Sequence, residues 1–331
     1  MKRKKKFSFA LFYQKFGVLT LLVILFAVAS IISPNFLKTR NLINILRQIV
    51  IITIIACGAC FILICGQINI AYDGLIACVG CTSCMIMVAT NNAFLSVVIG
   101  LAMGGVVGYI YGVCVTVLKV PSFLVSLAIT SVASGGIMLA TGGTKVRGMG
   151  DSFTVLGKGS IGPIPVNVLI MFACIIICHV LLTKSTFGRR VLAVGGNREA
   201  AIASGINADS VLRRVFVLDG ITTALAAILF MARLGNGQPD GGKGYAFDAV
   251  TGAIVGGCSI YGGKGTVIGC LVGAGIVGVL KNILNLMNVN SYWQDICSGA
   301  VILLAVLIDL ATKEAATNAT KNQMAEKKEN A

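Results

Sequence analysis

The side chains best suited to chemistry here are the cysteines, a few acids in apolar surroundings, and two lysines in glycine-rich runs. Cys57 and Cys60, and again Cys81 and Cys84, have the CxxC spacing of metal or redox sites, and Cys78 extends the second pair. All five lie in apolar runs, where cysteine behaves as a small hydrophobe. No acidic or histidine cluster accompanies them, and His179 stands alone in CIIICHVLL. They are read as packing residues, and no metal is expected. A phosphate cradle of the form GxxxxGK[ST] needs a hydroxyl after its lysine to hold magnesium. GGKGY at 241–245 and GGKGT at 262–266 place glycine there. With no nucleophile–base pair in the apolar runs, no catalytic residue and no bound cofactor are expected. Any ATP and magnesium would belong to a separate chain.

Polar interruptions are the next signal. GQINIAYDG at 66–74 sets Gln67, Asn69, Tyr72 and Asp73 between two apolar runs. Polar groups at membrane depth persist when buried in protein or lining a wet cavity. Two readings stand: a short loop that caps the next helix, or part of a substrate path. A long polar loop follows at 141–165. The third break, at 235–265, joins a glycine-rich loop to a short apolar segment carrying Tyr245 and Asp248. Interrupted segments of this kind often mark a substrate path, although loose loop packing would also account for this one.

The elements that position these residues are set by composition. The chain is 56% hydrophobic and 12% charged, against roughly 25% charged in a soluble domain. Apolar runs long enough to cross a bilayer are expected at 17–33, 49–65, 74–90, 94–118, 121–140, 165–183, 215–232, 247–263, 266–288 and 294–311. The expectation is an all-α, polytopic membrane protein of about ten helices, with the 247–263 segment possible as a short or re-entrant one. Residues 1–16 form a basic tail, 17–311 the membrane domain and 312–331 a polar tail.

Lysine and arginine collect on cytoplasmic flanks. With both termini inside, 18 of the 27 fall inside, 8 outside, and Lys281 within a span. The formal charge of +15 therefore needs no nucleic-acid partner. MKRKKKFSF and its apolar run could resemble a secretory signal, but SPNF follows instead of a small-x-small site, so 17–33 is read as a retained helix. In GLAMGGVVGYIYG, Gly100, Gly104, Gly108 and Gly112 recur every four residues and share one helix face. That face predicts close helix packing, within the chain or against a second copy.

The stretch from Lys184 to Arg214 is too polar for lipid and separates two apolar runs. Gly195 and Gly196 allow a tight reversal, and Asn197 suits a helix N-cap. Glu199 complements the helix dipole, Ala200 and Ala201 favour helix, and Gly205 can end it. A surface helix of about two turns is expected, marginal alone and held by packing.

Glu199-Ala200-Ala201-x3-Gly205 resembles the EAA-x3-G loop on which ABC importer permeases dock their ATPases. SPNF, KVPSFLVSLAIT, FGRRVLAVGGNREAAIASGI, QPDGGKGYAFDA and GGCSIYGGKGTVIG resemble, in order, ribose-type simple-sugar permeases. The resemblance covers nearly the whole chain and implies the membrane subunit of an importer in a bacterial cytoplasmic membrane. It also implies a homodimer, two ATPase subunits gripping the 195–206 helices, and an extracytoplasmic solute-binding protein. The chain departs from the family's G-I-D-L-S-x-G, with Asn69 for Asp, Ala71 for Ser and Asp73 for the second Gly; Ala246 stands where many relatives have Glu. The resemblance thus implies a monosaccharide or similar small polar solute, with an unusual sugar or polyol within its range. The alternative within transport is an importer of a nucleoside, autoinducer or amino acid in the same superfamily. An ion-coupled carrier is the alternative from another class, with Asp73, Asp219, Asp248 and Asp295 as its candidate acids.

Overall fold

The computed structural model describes residues 9–290 and, beyond them, 293, 296, 297, 299–301, 303, 304 and 307. Most of the expected span at 294–311, the 312–331 tail and residues 1–8 lie outside the described residues; residues 9–16, expected as part of the basic tail, are helical and belong to the first helix. Seven helices are long and apolar enough to cross a membrane. They are α2 (Thr39–Ile64), α3 (Tyr72–Thr90), α4 (Ala93–Thr116), α5 (Ser122–Thr141), α7 (Val166–Thr183), α10 (Ala208–Leu234) and α12 (Val267–Leu286). Val18–Ile32 of α1 (Phe9–Ile32) and α11 (Tyr245–Val255) are shorter apolar helices. Local chemistry sets the ends. The Asn92 side chain accepts from the Leu95 amide to start α4, and Thr266 accepts from Gly269 to start α12. Gly142 and Gly235 terminate α5 and α10 in left-handed conformations that glycine adopts freely.

The 141–165 loop carries structure of its own, which its polarity did not announce. It holds the short helix α6 (Asp151–Lys158) and a two-residue hairpin of β1 (Ser160–Ile161) and β2 (Ile164–Pro165). The strands are antiparallel, with Ser160 opposite Pro165 and Ile161 opposite Ile164. Phe153 is fully buried beneath α6, and Gly157 lies against the backbone of Ala232 and Arg233. Strand content is thus confined to this hairpin among the described residues.

α2 and α10 form the centre, with 83% and 78% of their apolar windows buried, whereas α4 and α5 reach 22% and 17%. The remaining faces of α4 and α5 are apolar surface suited to lipid. α4 crosses α10 through the predicted glycine face. A Cβ on Gly104 would overlap the Gly220 carbonyl, one on Gly108 the Phe216 carbonyl, and one on Gly112 would press on Arg213. Gly100 faces Ser83 and Ile228. The partner of this stripe is therefore α10 of the same chain. A smaller apolar cluster joins Ala29 and Phe36 to Ile45, Ile49, Ala274 and Val277, holding α1 and α2 to α12.

The expected 247–263 span resolves differently. Gly237 lies beside Cys84 and Gly242 beside Asp73, eleven residues apart on α3. At 1.5 Å per residue the 235–244 loop descends about 16 Å along that helix. α11 continues for about another 16 Å and ends where Gly262 and Gly263 meet Gly195 and Ile64. A turn-rich, non-helical segment and a half-length helix together make this crossing.

Leucine at position 108 should force α4 from α10 and cost about 3 kcal/mol. Gly108→Leu is expected to lower the thermal midpoint in detergent by about 6 °C or more. Gly136→Leu, where a side chain meets open space, should leave it within about 2 °C. Equal midpoints would show that the stripe does not set the packing.

Candidate functional site

Two features combine here: a polar loop with its own helices, and a pair of carboxylates where the helical ladder breaks. α8 (Thr186–Gly196) begins at Ser185, whose hydroxyl accepts from the Gly188 amide. Its inner face is Val191 and Val194, and Phe187 stacks on Phe61 of α2 with centroids 6.2 Å apart. The helix runs through Gly195 and Gly196, so the reversal expected at these glycines occurs one residue later, at Asn197. Glycine is needed at 195 for close approach. A Cβ there would overlap the Ile64 carbonyl, which accepts from the Gly263 amide at 2.8 Å. Gly262 and Gly263 adopt positive φ of 86° and 76° as they pass between Gly195 and Gly66. The ends of α2 and α8 and the 256–266 loop thus meet at one carbonyl.

α9 (Arg198–Ala203) is six residues long, shorter than the two turns expected. The Asn197 side chain accepts from the Ala200 amide at 2.9 Å, the predicted cap. Ser204 follows, and Gly205 takes φ 81° while its amide bonds the Ile202 carbonyl at 2.9 Å. Only Ala201 is buried; Glu199, Ala200, Ile202 and Ala203 face outward. Asp209 pairs with Arg198 at 2.5 Å and with Lys119 at 3.2 Å, tying α9 to α10 and to the α4–α5 turn. These exposed pairs fix direction more than they stabilise.

Deeper in the fold, Asp219 lies near the middle of α10, about 16 Å from its start, and is fully buried. Its carboxylate accepts from Asn69 Nδ2 at 2.7 Å and from the Tyr72 hydroxyl at 3.1 Å. Thr222 and Thr223 bond the Asp219 carbonyl, and Gly58 leaves the room on α2 for Asp219 and Thr222. Asn69 in turn accepts from the Ala71 amide, satisfying the backbone that the break exposes. The stretch 66–71 is not helical, so Asn69 and Asp73 do not share a helix face. Asn69 and Tyr72 are buried partners of Asp219, while Gln67 is half-buried.

Asp73 sits in the first turn of α3 yet caps a different helix. Its oxygens accept from the Gly244 amide at 2.9 Å and the Ala246 amide at 2.7 Å, the orphan donors at the start of α11. Tyr245 packs edge-on against Phe230. Asp248, one turn into α11, pairs with Lys281 of α12 at 2.5 Å, both largely buried. The structure therefore brings Asn69 and Tyr72 to Asp219, Asp73 to the α11 start, and Asp248 to Lys281. A lone lysine within an apolar run was the available signal for the last pair. The paired glycines of the 262–263 run were the signal for the contact with Gly195.

Removing the Asp73 acceptor leaves two amides without a partner, at about 2 kcal/mol. Asp73→Ala is expected to speed hydrogen exchange at the Gly244 and Ala246 amides by about thirtyfold. Asp73→Asn, which keeps an acceptor, should change it far less. Unchanged exchange in Asp73→Ala would remove the carboxylate from this role.

Residues 41–306 match the family described as branched-chain amino acid transport system / permease component. The ribose import permease protein RbsC of Bacillus subtilis (strain 168) is 36% identical over 308 residues, covering 92% of this chain and 96% of its own. RbsC of Escherichia coli (strain K12) is 37% identical over 292 residues, covering 87% and 91%. The D-allose transport system permease protein AlsC of the same strain is 32% identical over 308 residues, covering 92% and 94%. No solved structure gives a significant match. With the family match spanning most of the chain and its spans arranged as described, this multi-pass membrane protein belongs to the permease-component family of branched-chain amino acid transport systems.

Proposed function

We propose that the chain is the membrane-spanning subunit of a binding-protein-dependent ABC importer that carries a monosaccharide or similar small polar solute. Full-length similarity to permeases named for ribose, allose and arabinose supports the substrate class. The observation that carries the drive mechanism is α9. It presents Glu199, Ala200 and Ile202 outward while Ala201 anchors it, and it directly follows the joint of α2, α8 and the 256–266 loop. Separate ATPase subunits would dock on 195–206, and their closure would push this joint. ATP and magnesium would be held by those subunits and none by this chain.

The path is proposed to pass where the two breaks meet. Backbone without helical bonds is tolerated at depth only when protein buries it or it lines a cavity, and broken helices are where carriers bind their cargo. The 66–71 and 235–244 segments converge at Asp73 and Gly242. A second copy of the chain, a solute-binding protein on the 141–165 side, and a cytoplasmic membrane with both termini inside complete the proposed assembly.

Glu199→Lys and Gly205→Asp should each abolish solute uptake and co-purification of the ATPase while leaving membrane-inserted protein at normal levels. Normal uptake by both variants would sink the docking role.

A further inference from the structure

Cys60, one of the cysteines whose spacing suggested only packing, has partners that no local pattern announces. Cys258 follows α11, Cys270 lies in the first turn of α12, and both reach Cys60 of α2. The Cys258 Sγ lies 3.4 Å from that of Cys60 and 3.6 Å from that of Cys270. All three sulfurs fall within 4.8 Å of one another, and all three residues are buried. The other CxxC pair, Cys81 and Cys84, belongs to no such group among the described residues. Packing alone asks each cysteine for apolar neighbours, and it does not ask three from separate segments to face one point.

We propose that Cys60, Cys258 and Cys270 form a three-sulfur site for cuprous ion. Thiolate sulfur selects soft cations such as Cu(I). Structural zinc takes four ligands almost without exception, and this group offers three. Cysteine coordinates as thiolate, so each of the three thiols releases its proton to solvent as the ion binds. Copper remains Cu(I), and no sulfur is oxidised. Gly257, next to Cys258, is exposed, with open space where a side chain would stand. The site lies one helical turn from the Ile64 carbonyl on α2, so occupancy would tie α2 to α12 beneath that joint. The inference does not depend on the transport reading.

Cys57, one turn away on α2, faces Cys174 and Cys178 of α7, and this neighbouring group supplies the control. The full chain, purified in detergent without oxygen, is titrated with Cu(I) against a chromophoric cuprous chelator. One equivalent per chain should be retained, and X-ray absorption should show three sulfur neighbours and no nitrogen or oxygen. Cys60→Ser, Cys258→Ser and Cys270→Ser should each weaken binding by about a hundredfold or more, while Cys57→Ser leaves it unchanged. Wild-type affinity in the three site variants would overturn the proposal, as would loss confined to Cys57→Ser. Light-atom neighbours in the unmodified chain would overturn it too, whether or not the variants fold.

Discussion

A backbone amide inside a bilayer has no water to bond, and this chain leaves helical geometry twice at that depth. Each departure is held by a carboxylate. Asp219 receives Asn69 and Tyr72 at the first break, and Asp73 receives the Gly244 and Ala246 amides at the second. An unsatisfied donor in lipid costs several kcal/mol, so each acceptor stabilises its segment in place. The glycine contacts serve the same end. Gly58 makes room for Asp219 on the α2 side, and Gly104 and Gly108 bring α4 onto α10 around it. Close packing places the acid, and the acid holds the break.

The breaks and the surface loop are linked through short, stiff connections. α11 runs from Asp73 to the 256–266 loop, whose Gly263 amide bonds the Ile64 carbonyl against Gly195. α8 leads from that contact to Asn197 and α9. A displacement of α9 would therefore reach the carbonyl joint through one helix and the α11 start through another. Under the transport reading this is the route by which a docked ATPase would act on the path. The buried Asp248–Lys281 pair keeps α11 and α12 together along it, and breaking a buried pair by removing one partner is strongly destabilising.

Much of this was legible in the sequence because it rests on local chemistry. The Asn197 cap, the Gly205 stop and the four-residue glycine period are short-range signals, and the apolar runs at 74–90 and 121–140 fall within a residue or two of α3 and α5. What was hidden depends on long-range contacts. Asp219 was visible as an acid in an apolar run, but Asn69 lies 150 residues from it. Cys60 and Cys258 are 198 residues apart, so CxxC spacing drew attention to the wrong neighbours. Gly195 read as a turn residue because glycine for flexibility and glycine for close approach look alike in one dimension. α6 was missed because its apolar anchors, Phe153 and Leu156, are only two residues in a polar loop.

The most direct test uses proteoliposomes holding this chain, an ABC ATPase and a solute-binding protein, and follows uptake of the radiolabelled monosaccharide that the binding protein retains. Accumulation that requires ATP and survives collapse of the ion gradients is expected. Uptake that proceeds without ATP and stops when those gradients are collapsed would contradict an ATPase-driven permease.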